Sequence, residues 1–239
     1  MKLLDLTLAT PAENLALDEA LLDAAEADPR QGDVLRLWEP AGHFIVLGRS
    51  SQVEREVNVA ACERLSVPIL RRASGGAAVV SGPGCLMYSV VLSYERHPPL
   101  RMLDRAHAFV LSQVASALDS LGLVAEHCGT SDLVASGRKV SGNSLRCKRD
   151  HLLYHGTLLY NFDLVIIGEL LRMPPRQPDY RAGREHGQFL ANLTADAAEL
   201  RQALAAAFGA SAPLASWPRD ETERLVAVRY SQAAWNRQR

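Results

Sequence analysis

Two stretches of the chain carry residues whose types and spacing could do chemistry. The first is Arg71-Arg72-Ala73-Ser74-Gly75-Gly76-Ala77; the second runs from Asp132 through Ser136-Gly137-Arg138-Lys139 to Ser141-Gly142 and on to His155-Gly156-Thr157. A glycine pair lets backbone N–H groups approach an anion closely, because no Cβ stands in the way. A guanidinium grips a carboxylate or phosphate with two parallel hydrogen bonds. By themselves Arg71, Arg72, Ser74, Gly75 and Gly76 describe a carboxylate- or phosphate-binding loop. A tight hairpin with solvated arginines fits the same residues equally well. Lys139, just past a glycine turn, could face that loop across a sheet as a cation. His155 could act as a base or a positioning group, although a satisfied core histidine is the commoner outcome.

These residues need elements to hold them. Pro68–Leu70 and Leu86–Leu92 are short apolar runs bounded by turn residues and read as strands. Asp132-Leu133-Val134 reads as a short strand, Ser136-Gly137 turn the chain, and Arg138–Leu145 lead to a return strand over His151–Tyr160. Pro11 to about Glu26 reads as a helix with an apolar stripe, Pro11 in its first turn and Asp28-Pro29 at its end. Asn14 and Asp18 fall on one face of it and could look into a site together, or simply be solvated. Val34–Trp38 and Phe44–Leu47 read as strands around the Pro40-Ala41-Gly42 turn. Asn58 is placed to cap a helix over Val59–Leu65, with room to line a pocket as well. Met102–Leu121 reads as a core-packing helix stopped by Gly122. Helices over about Ala195–Phe208 and Arg219–Trp235 close the chain. Strands and helices without regular βαβ alternation point to the α+β class, a mixed sheet flanked by helices in a single domain over residues 1–239.

Composition narrows the function. The 239 residues are ample for a core, and 48% hydrophobic with 22% charged residues is the balance of an ordinary globular protein. A net charge of −1 argues against nucleic-acid or acidic-membrane partners. No run reaches the ~20 apolar residues of a membrane span, and MKLLDLTLAT lacks the marks of a signal peptide, so a cytoplasmic location is expected. Cys62, Cys85, Cys128 and Cys147 have no CxxC spacing and read as free thiols.

The wording of these stretches resembles the lipoate–protein ligase A family, within the biotin/lipoate protein ligase catalytic-domain superfamily. RRASGGAAV is similar to that family's RRxSGGGAV, with Ala77 in place of the third glycine, Ser81-Gly82 in place of a common His-Asp pair, and Cys85 in place of an asparagine. PAENLALDEALL resembles its opening helix, and LRLW followed by Gly48-Arg49-Ser50-Ser51-Gln52 resembles its LRLWxxxxxxVxxG[RK]xQ. GRKVSGNS is similar to G[RK]K[IV][SA]GSA, with Asn143 for a serine. Asp132 matches the aspartate of NDL, with Ser131 for the asparagine, and HGTLL begins at His155. Pro174–Leu193 looks like the PxRQPxYRxxRxHxxFxxNL segment of shorter members, which would close over the nucleotide or meet the acceptor domain.

The resemblance implies a biotin/lipoate ligase catalytic-domain fold, akin to class II synthetases, in a short form without a C-terminal accessory domain. It implies an enzyme that uses ATP and Mg²⁺ to convert lipoate or octanoate to an acyl-AMP. The acyl group would then pass to a lysine of a lipoyl domain, in a 2-oxoacid dehydrogenase acyltransferase subunit or a glycine-cleavage H protein. Lys139 would be the catalytic residue, touching the acyl carboxylate and the α-phosphate. Arg71, Arg72, Ser74, Gly75, Gly76, Ala77, Asp132, Ser141, Gly142, His155, Gly156 and Thr157 would bind substrate or nucleotide, with Asp132 reaching Mg²⁺ through phosphate. Two other readings compete. One is an octanoyl or lipoyl transferase using a cysteine nucleophile, with Cys85, Cys128 and Cys147 all near the motifs. The other is a lipoate-binding subunit that needs a separate accessory chain.

Overall fold

The computed structural model describes residues 1–238. Among these the strands form an eight-stranded sheet in the order β11-β1-β2-β6-β10-β9-β8-β7 and a three-stranded sheet in the order β4-β3-β5. The large sheet comprises β1 (Lys2–Asp5), β2 (Val34–Trp38), β6 (Cys85–Ser93), β7 (Glu126–Cys128), β8 (Asp132–Ala135), β9 (Arg138–Cys147), β10 (His151–Leu159) and β11 (Ala212–Pro213). The small one comprises β3 (Phe44–Leu47), β4 (Ile69–Arg71) and β5 (Val79–Ser81). Both are mixed. β1 runs parallel to β2 and β11, and β3 runs parallel to β4, while the other pairings are antiparallel.

Side chains alternate across a strand, so the large sheet has two distinct faces. Leu35, Leu37, Tyr88, Val90, Leu152, Tyr154 and Leu158 point to one face. There they meet Val110, Val114 and Leu118 of the Leu103–Asp119 helix and Leu200 and Leu204 of the Ala197–Ala207 helix. The opposite face presents Arg36, Ser89 and His155, cross-strand neighbours in β2, β6 and β10. The first helix, Pro11–Ala27, lies against this second face. Its start is set by a capping box: Glu13 N–H donates to the Thr10 hydroxyl, and Glu13 Oε2 accepts from Thr10 N at 2.7 Å.

An arginine in the middle of an apolar strand must find a partner. Arg36 is 0% exposed and meets Asp18, itself 3% exposed, at 2.6 Å. It also donates to Asn14 Oδ1 at 2.5 Å and to the Asn14 carbonyl at 2.8 Å. Solvation of Asn14 and Asp18 is thereby corrected: both are buried, because the first helix lies on a strand that supplies their counter-charge. Burial pushes the Asp18 carboxyl toward the neutral form, but Arg36 and His155 outweigh it and hold the pKa below its ordinary 3.8.

Most other boundaries agree with the sequence to within a few residues. The C-terminal region departs from expectation. The single helix expected over Arg219–Trp235 is an α-helix over Arg219–Leu225, a π-helical turn over Val226–Tyr230 and a short helix over Ala233–Asn236. Among the described residues no helix is long and apolar enough to cross a membrane.

Arg36→Leu leaves Asp18 buried without its counter-ion and is expected to destabilise the protein by ~3–5 kcal/mol in urea unfolding; Arg36→Leu/Asp18→Leu is expected to recover much of that loss. Because Asp18 has a lowered pKa in the folded state, its contribution is present above its unfolded pKa and is lost as pH falls through the folded value. The acid limb of the stability profile is therefore expected to be shallower in Asp18→Asn. An unchanged acid limb in that variant counts against the assignment.

Candidate active site

The second face of the large sheet, the small sheet and the first helix enclose a cavity of about 770 Å³. Its apolar wall comes from Leu15, Val46, Val79, Met87, Leu159 and Ile167. Its polar end gathers Asp132, Lys139, Gly142, His155 and Thr157 from β8, β9 and β10, together with Arg72, Gly76 and Ala77 from the loop between β4 and β5. The two motif stretches, distant in sequence, thus border one space.

Lys139 reaches that space through an irregularity in the β8–β9 pairing. Asp132 pairs with Gly142 and Leu133 with Ser141, but Val134 pairs with Lys139, leaving Val140 as the extra residue. In a regular strand Lys139, three residues from Gly142, would point to the opposite face from Asp132. The bulge returns it to the Asp132 face. There its Nζ lies 2.7 Å from Asp132 Oδ1. The hairpin closes on Ser136 and Gly137 with φ of 49° and 73°, the left-handed pair that suits a two-residue turn.

Asp132 Oδ2 accepts from the Tyr180 hydroxyl at 2.6 Å. Burial and this bond to Asp132 push the Tyr180 pKa well above its ordinary value, so the phenol keeps its proton and remains a donor. Tyr180 belongs to the Arg-rich stretch after Pro174, in which Pro174, Arg176 and Pro178 also line the cavity. Arg184 donates to the Gly137 carbonyl at 2.9 Å, and Arg138 donates to the Gly187 carbonyl at 2.7 Å. This stretch is therefore pinned to the Lys139 hairpin, with Phe189 beneath the guanidinium of Arg181 at 4.6 Å.

The glycine loop is ordered by its own arginine. Arg72 donates to the carbonyls of Val46, Gly75 and Ala77 and to Ser74 Oγ. Burial lowers its pKa to about 10, with Glu56 opposing that shift. Gly76 has φ of 90°, and a Cβ there would stand 2.7 Å from Arg72 Nη2. Ala77 is not among the residues of positive φ, which explains why alanine is accommodated in place of a glycine. Ser74 is 2% exposed and its hydroxyl lies 2.6 Å from His155 Nε2; His155 Nδ1 in turn lies 3.6 Å from Asp18 Oδ2. Asp18, which lines the cavity, is the residue that orients His155 from behind.

Ser141 and Gly156 also border the cavity, whereas Ser74 and Gly75 do not. Arg71 requires correction as a ligand contact. It is 0% exposed, lies outside the cavity lining, and spends its guanidinium on the carbonyls of Gly48, Ser51, Trp235 and Gln238. As a residue of the strand β4 it points into the protein behind the loop. Asn58 caps the Val59–Arg64 helix and lies outside the lining too. Arg36 and Tyr180 carry weight that motif reading missed or left unassigned. Arg36 had a signal, a lone charge inside VLRLW, whereas the Tyr180–Asp132 contact had none.

None of the four cysteines borders the cavity. Cys85 is fully buried, and burial pushes its thiol up to about 12. Burial, with Glu126 and Asp132 nearby, also raises the Cys128 pKa. Among the described residues no group of three or more His, Cys, Asp or Glu could hold a metal ion. Of the carboxylates that line the cavity, Asp18 is engaged by Arg36 and Glu56 accepts from the Ala78 N–H, which leaves Asp132 as the one paired with Lys139. That donor set suits a Mg²⁺ carried largely by nucleotide phosphates rather than an all-protein cage.

The model of the lipoyl protein ligase A/B catalytic domain matches residues 10–209. "Probable lipoate-protein ligase A" of Mycoplasma pneumoniae is 31% identical over 166 residues, covering 68% of this chain and 46% of that protein. The chain thus spans about half the length of such curated relatives. In fold it is similar to a bi-partite lipoate protein ligase of Thermoplasma acidophilum, studied with its E2 lipoyl domain. The TM-score is 0.82 at 21% identity, with 99% of this chain and 95% of that one covered. It is also similar to a lipoate-protein ligase A bound with ATP, with a TM-score of 0.80 at 22% identity, covering 99% of this chain and 98% of that one. The expected mixed sheet flanked by helices, the biotin/lipoate ligase catalytic fold, is what these likenesses show.

A Cβ on Gly142 would stand 2.9 Å from Lys139 Cε and Nζ, the far end of a flexible side chain that can yield. Gly142→Ala is therefore expected to fold with a thermal midpoint close to the parent's while displacing the ammonium from Asp132. A crystal structure of the variant with the Lys139–Asp132 pair intact would refute this.

Proposed function

Because the chain belongs to the lipoyl protein ligase A/B catalytic-domain family, we propose that it acts as a ligase. It activates lipoate or octanoate with ATP as an acyl-adenylate and transfers the acyl group to a lysine of a lipoyl domain. The observation that carries this reading is that one cavity joins an apolar wall to the Lys139 ammonium and the Gly76 turn. An acyl chain needs the first, and two anions brought into reaction need the second.

In the first step a carboxylate oxygen of the acid attacks the α-phosphorus of ATP; a P–O bond forms and pyrophosphate leaves. Charge gathers on oxygens of both reactants, and an ammonium placed between them stabilises that arrangement more than it stabilises the separated ions. Asp132 already holds the Lys139 ammonium at the cavity. Arriving phosphates compete with that carboxylate for the ammonium, and Asp132, released from Lys139, is the residue that would hold Mg²⁺. Bound with the nucleotide, Mg²⁺ neutralises phosphate charge. The backbone around Gly76 and Gly142 and the Thr157 side chain line the same cavity and suit the nucleotide. In the second step the acceptor lysine's amine attacks the acyl carbonyl. A C–N bond forms, the C–O bond to AMP breaks, and the amine's proton passes to solvent. His155, bonded to Ser74, serves as a positioning residue in this scheme.

The bi-partite relative studied with its E2 lipoyl domain supports a lipoyl domain as acceptor. That the relative is bi-partite also supports a second reading, in which a separate accessory chain is needed for activation. A transferase with a cysteine nucleophile lacks support, because no cysteine stands at the cavity.

Purified protein with ATP, Mg²⁺, lipoate and a lipoyl domain is expected to give a lipoyl mass adduct with release of AMP; an adduct only after a second protein is added would move the reading to the accessory-dependent form. Lys139→Ala is expected to lower acyl-AMP formation by ~10²–10³-fold. An unchanged rate would remove Lys139 from the chemistry. Cys85→Ala, Cys128→Ser and Cys147→Ser are each expected to keep activity, whereas its abolition by one of them would favour the transferase.

A further inference from the structure

The family match ends at residue 209, yet the chain beyond it reaches back beneath the glycine loop. It does so by two routes. The first starts at the π-helical turn Val226–Tyr230, which sets Arg229 and Tyr230 on one carboxylate. Arg229 Nη1 donates to Glu19 Oε1 at 2.5 Å, and the Tyr230 hydroxyl donates to Glu19 Oε2 at 2.7 Å. Glu19 is 2% exposed and adjoins Asp18 in the first helix. Its Oε1 lies 3.4 Å from Arg146 Nη1, and that nitrogen donates to the Ala73 carbonyl at 3.2 Å.

The second route runs through Arg71. Its backbone N–H donates to Asn236 Oδ1 at 3.0 Å, its Nε donates to the Trp235 carbonyl at 3.0 Å, and Trp235 Nε1 donates to the Arg71 carbonyl at 2.9 Å. On its other side Arg71 Nη1 donates to the carbonyls of Gly48 and Ser51 at 2.7 and 2.8 Å. That turn touches the loop directly. A Cβ on Gly48 would stand 1.8 Å from the Gly76 carbonyl oxygen, Ser51 Oγ donates to the same oxygen at 3.1 Å, and Arg49 N–H donates to the Ser74 carbonyl at 2.8 Å.

We propose that the Arg219–Gln238 segment is a positioning element for the Ser74–Ala77 loop, holding it ordered before ligand arrives, with Trp235, Asn236, Arg229 and Tyr230 as its positioning residues. The role in catalysis rests on the reading that this loop binds substrate; the ordering itself does not. A loop ordered at folding does not have to lose its conformational freedom on binding, so the segment lowers the entropic cost of the ligand complex. Its residues touch neither substrate nor reacting atoms. They act through Arg71 and Glu19.

The test uses the full chain with Trp235→Phe, which keeps a ring and removes one N–H donor, and with Asn236→Ala and Arg229→Met. Hydrogen exchange is followed in peptides covering residues 48–52 and 72–78, whose Arg49 and Arg72 amides are hydrogen-bonded. Exchange there is expected to quicken on the order of tenfold. The KM for ATP is expected to rise while transfer from preformed acyl-AMP keeps its kcat. Leu200→Ala, in the helix packed on the opposite sheet face, serves as a control for stability loss and is expected to leave these peptides unchanged. Parent-like exchange in both Trp235→Phe and Asn236→Ala would overturn the proposal, as would equal quickening in Leu200→Ala. Quickened exchange in a protein that never forms acyl-AMP would support the positioning role while removing the ligase reading, so the two fail separately.

Discussion

The buried pair between Arg36 and Asp18 is the constraint on which the site's geometry depends. Arg36 is fully enclosed by the sheet and the first helix, and Asp18 is its counter-ion at 2.6 Å. Such a pair is weak evidence for stability, because desolvation of both charges offsets their attraction. Its value is orientation. With its charge held by Arg36, and with Ser89 donating to Oδ1 at 2.9 Å, Asp18 turns Oδ2 toward His155 Nδ1. His155 Nε2 then meets Ser74, whose backbone begins the glycine turn. A helix, three strands and a loop far apart in sequence are thereby set against one another by five polar side chains.

A second constraint is local. One extra residue in β9 turns Lys139 onto the face of Asp132. Without the bulge the ammonium would point toward the apolar core between the sheet and the Leu103–Asp119 helix. Burying an unpaired charge there would be costly. Gly142 follows from the same crowding, since it leaves room where Lys139 crosses. The site is thus a product of sheet irregularity placed next to regular pairing, with β10 supplying the straight frame.

The cavity lining has two parts. Apolar residues of the small sheet and β6 make up one, and the ammonium, the carboxylates and the glycine turn the other. Thiols are absent from both parts among the described residues. The desolvation that raises the Cys85 pKa to about 12 makes that residue a packing group of the core. Arg184 of the Pro174–Leu190 stretch donates to the Gly137 carbonyl and Arg138 of the hairpin donates to the Gly187 carbonyl, so the same hairpin that positions the lysine also anchors the covering segment.

The sequence by itself determined the strands of the two motif stretches and the first helix, while the joining of RRASGG with GRKVSG rested on a family resemblance. Short-range rules suffice for the elements: apolar runs bounded by turn residues, and a proline in the first turn of an apolar-striped helix. β1 and β5 escaped that reading, because a few residues of apolar sequence acquire strand character only from the partners beside them. Arg71 and Arg72 are adjacent and chemically identical in sequence, yet one faces the cavity and the other the C-terminal segment. Only the tertiary structure decided between them, because alternation along a strand tells that neighbours differ and not which of them meets the ligand side. The same holds for Lys139, whose face depends on a bulge, and for Asp18, whose burial depends on an arginine brought from another strand. Pairwise long-range contacts of this kind carry no local signal, and they are what turns a set of motifs into a site.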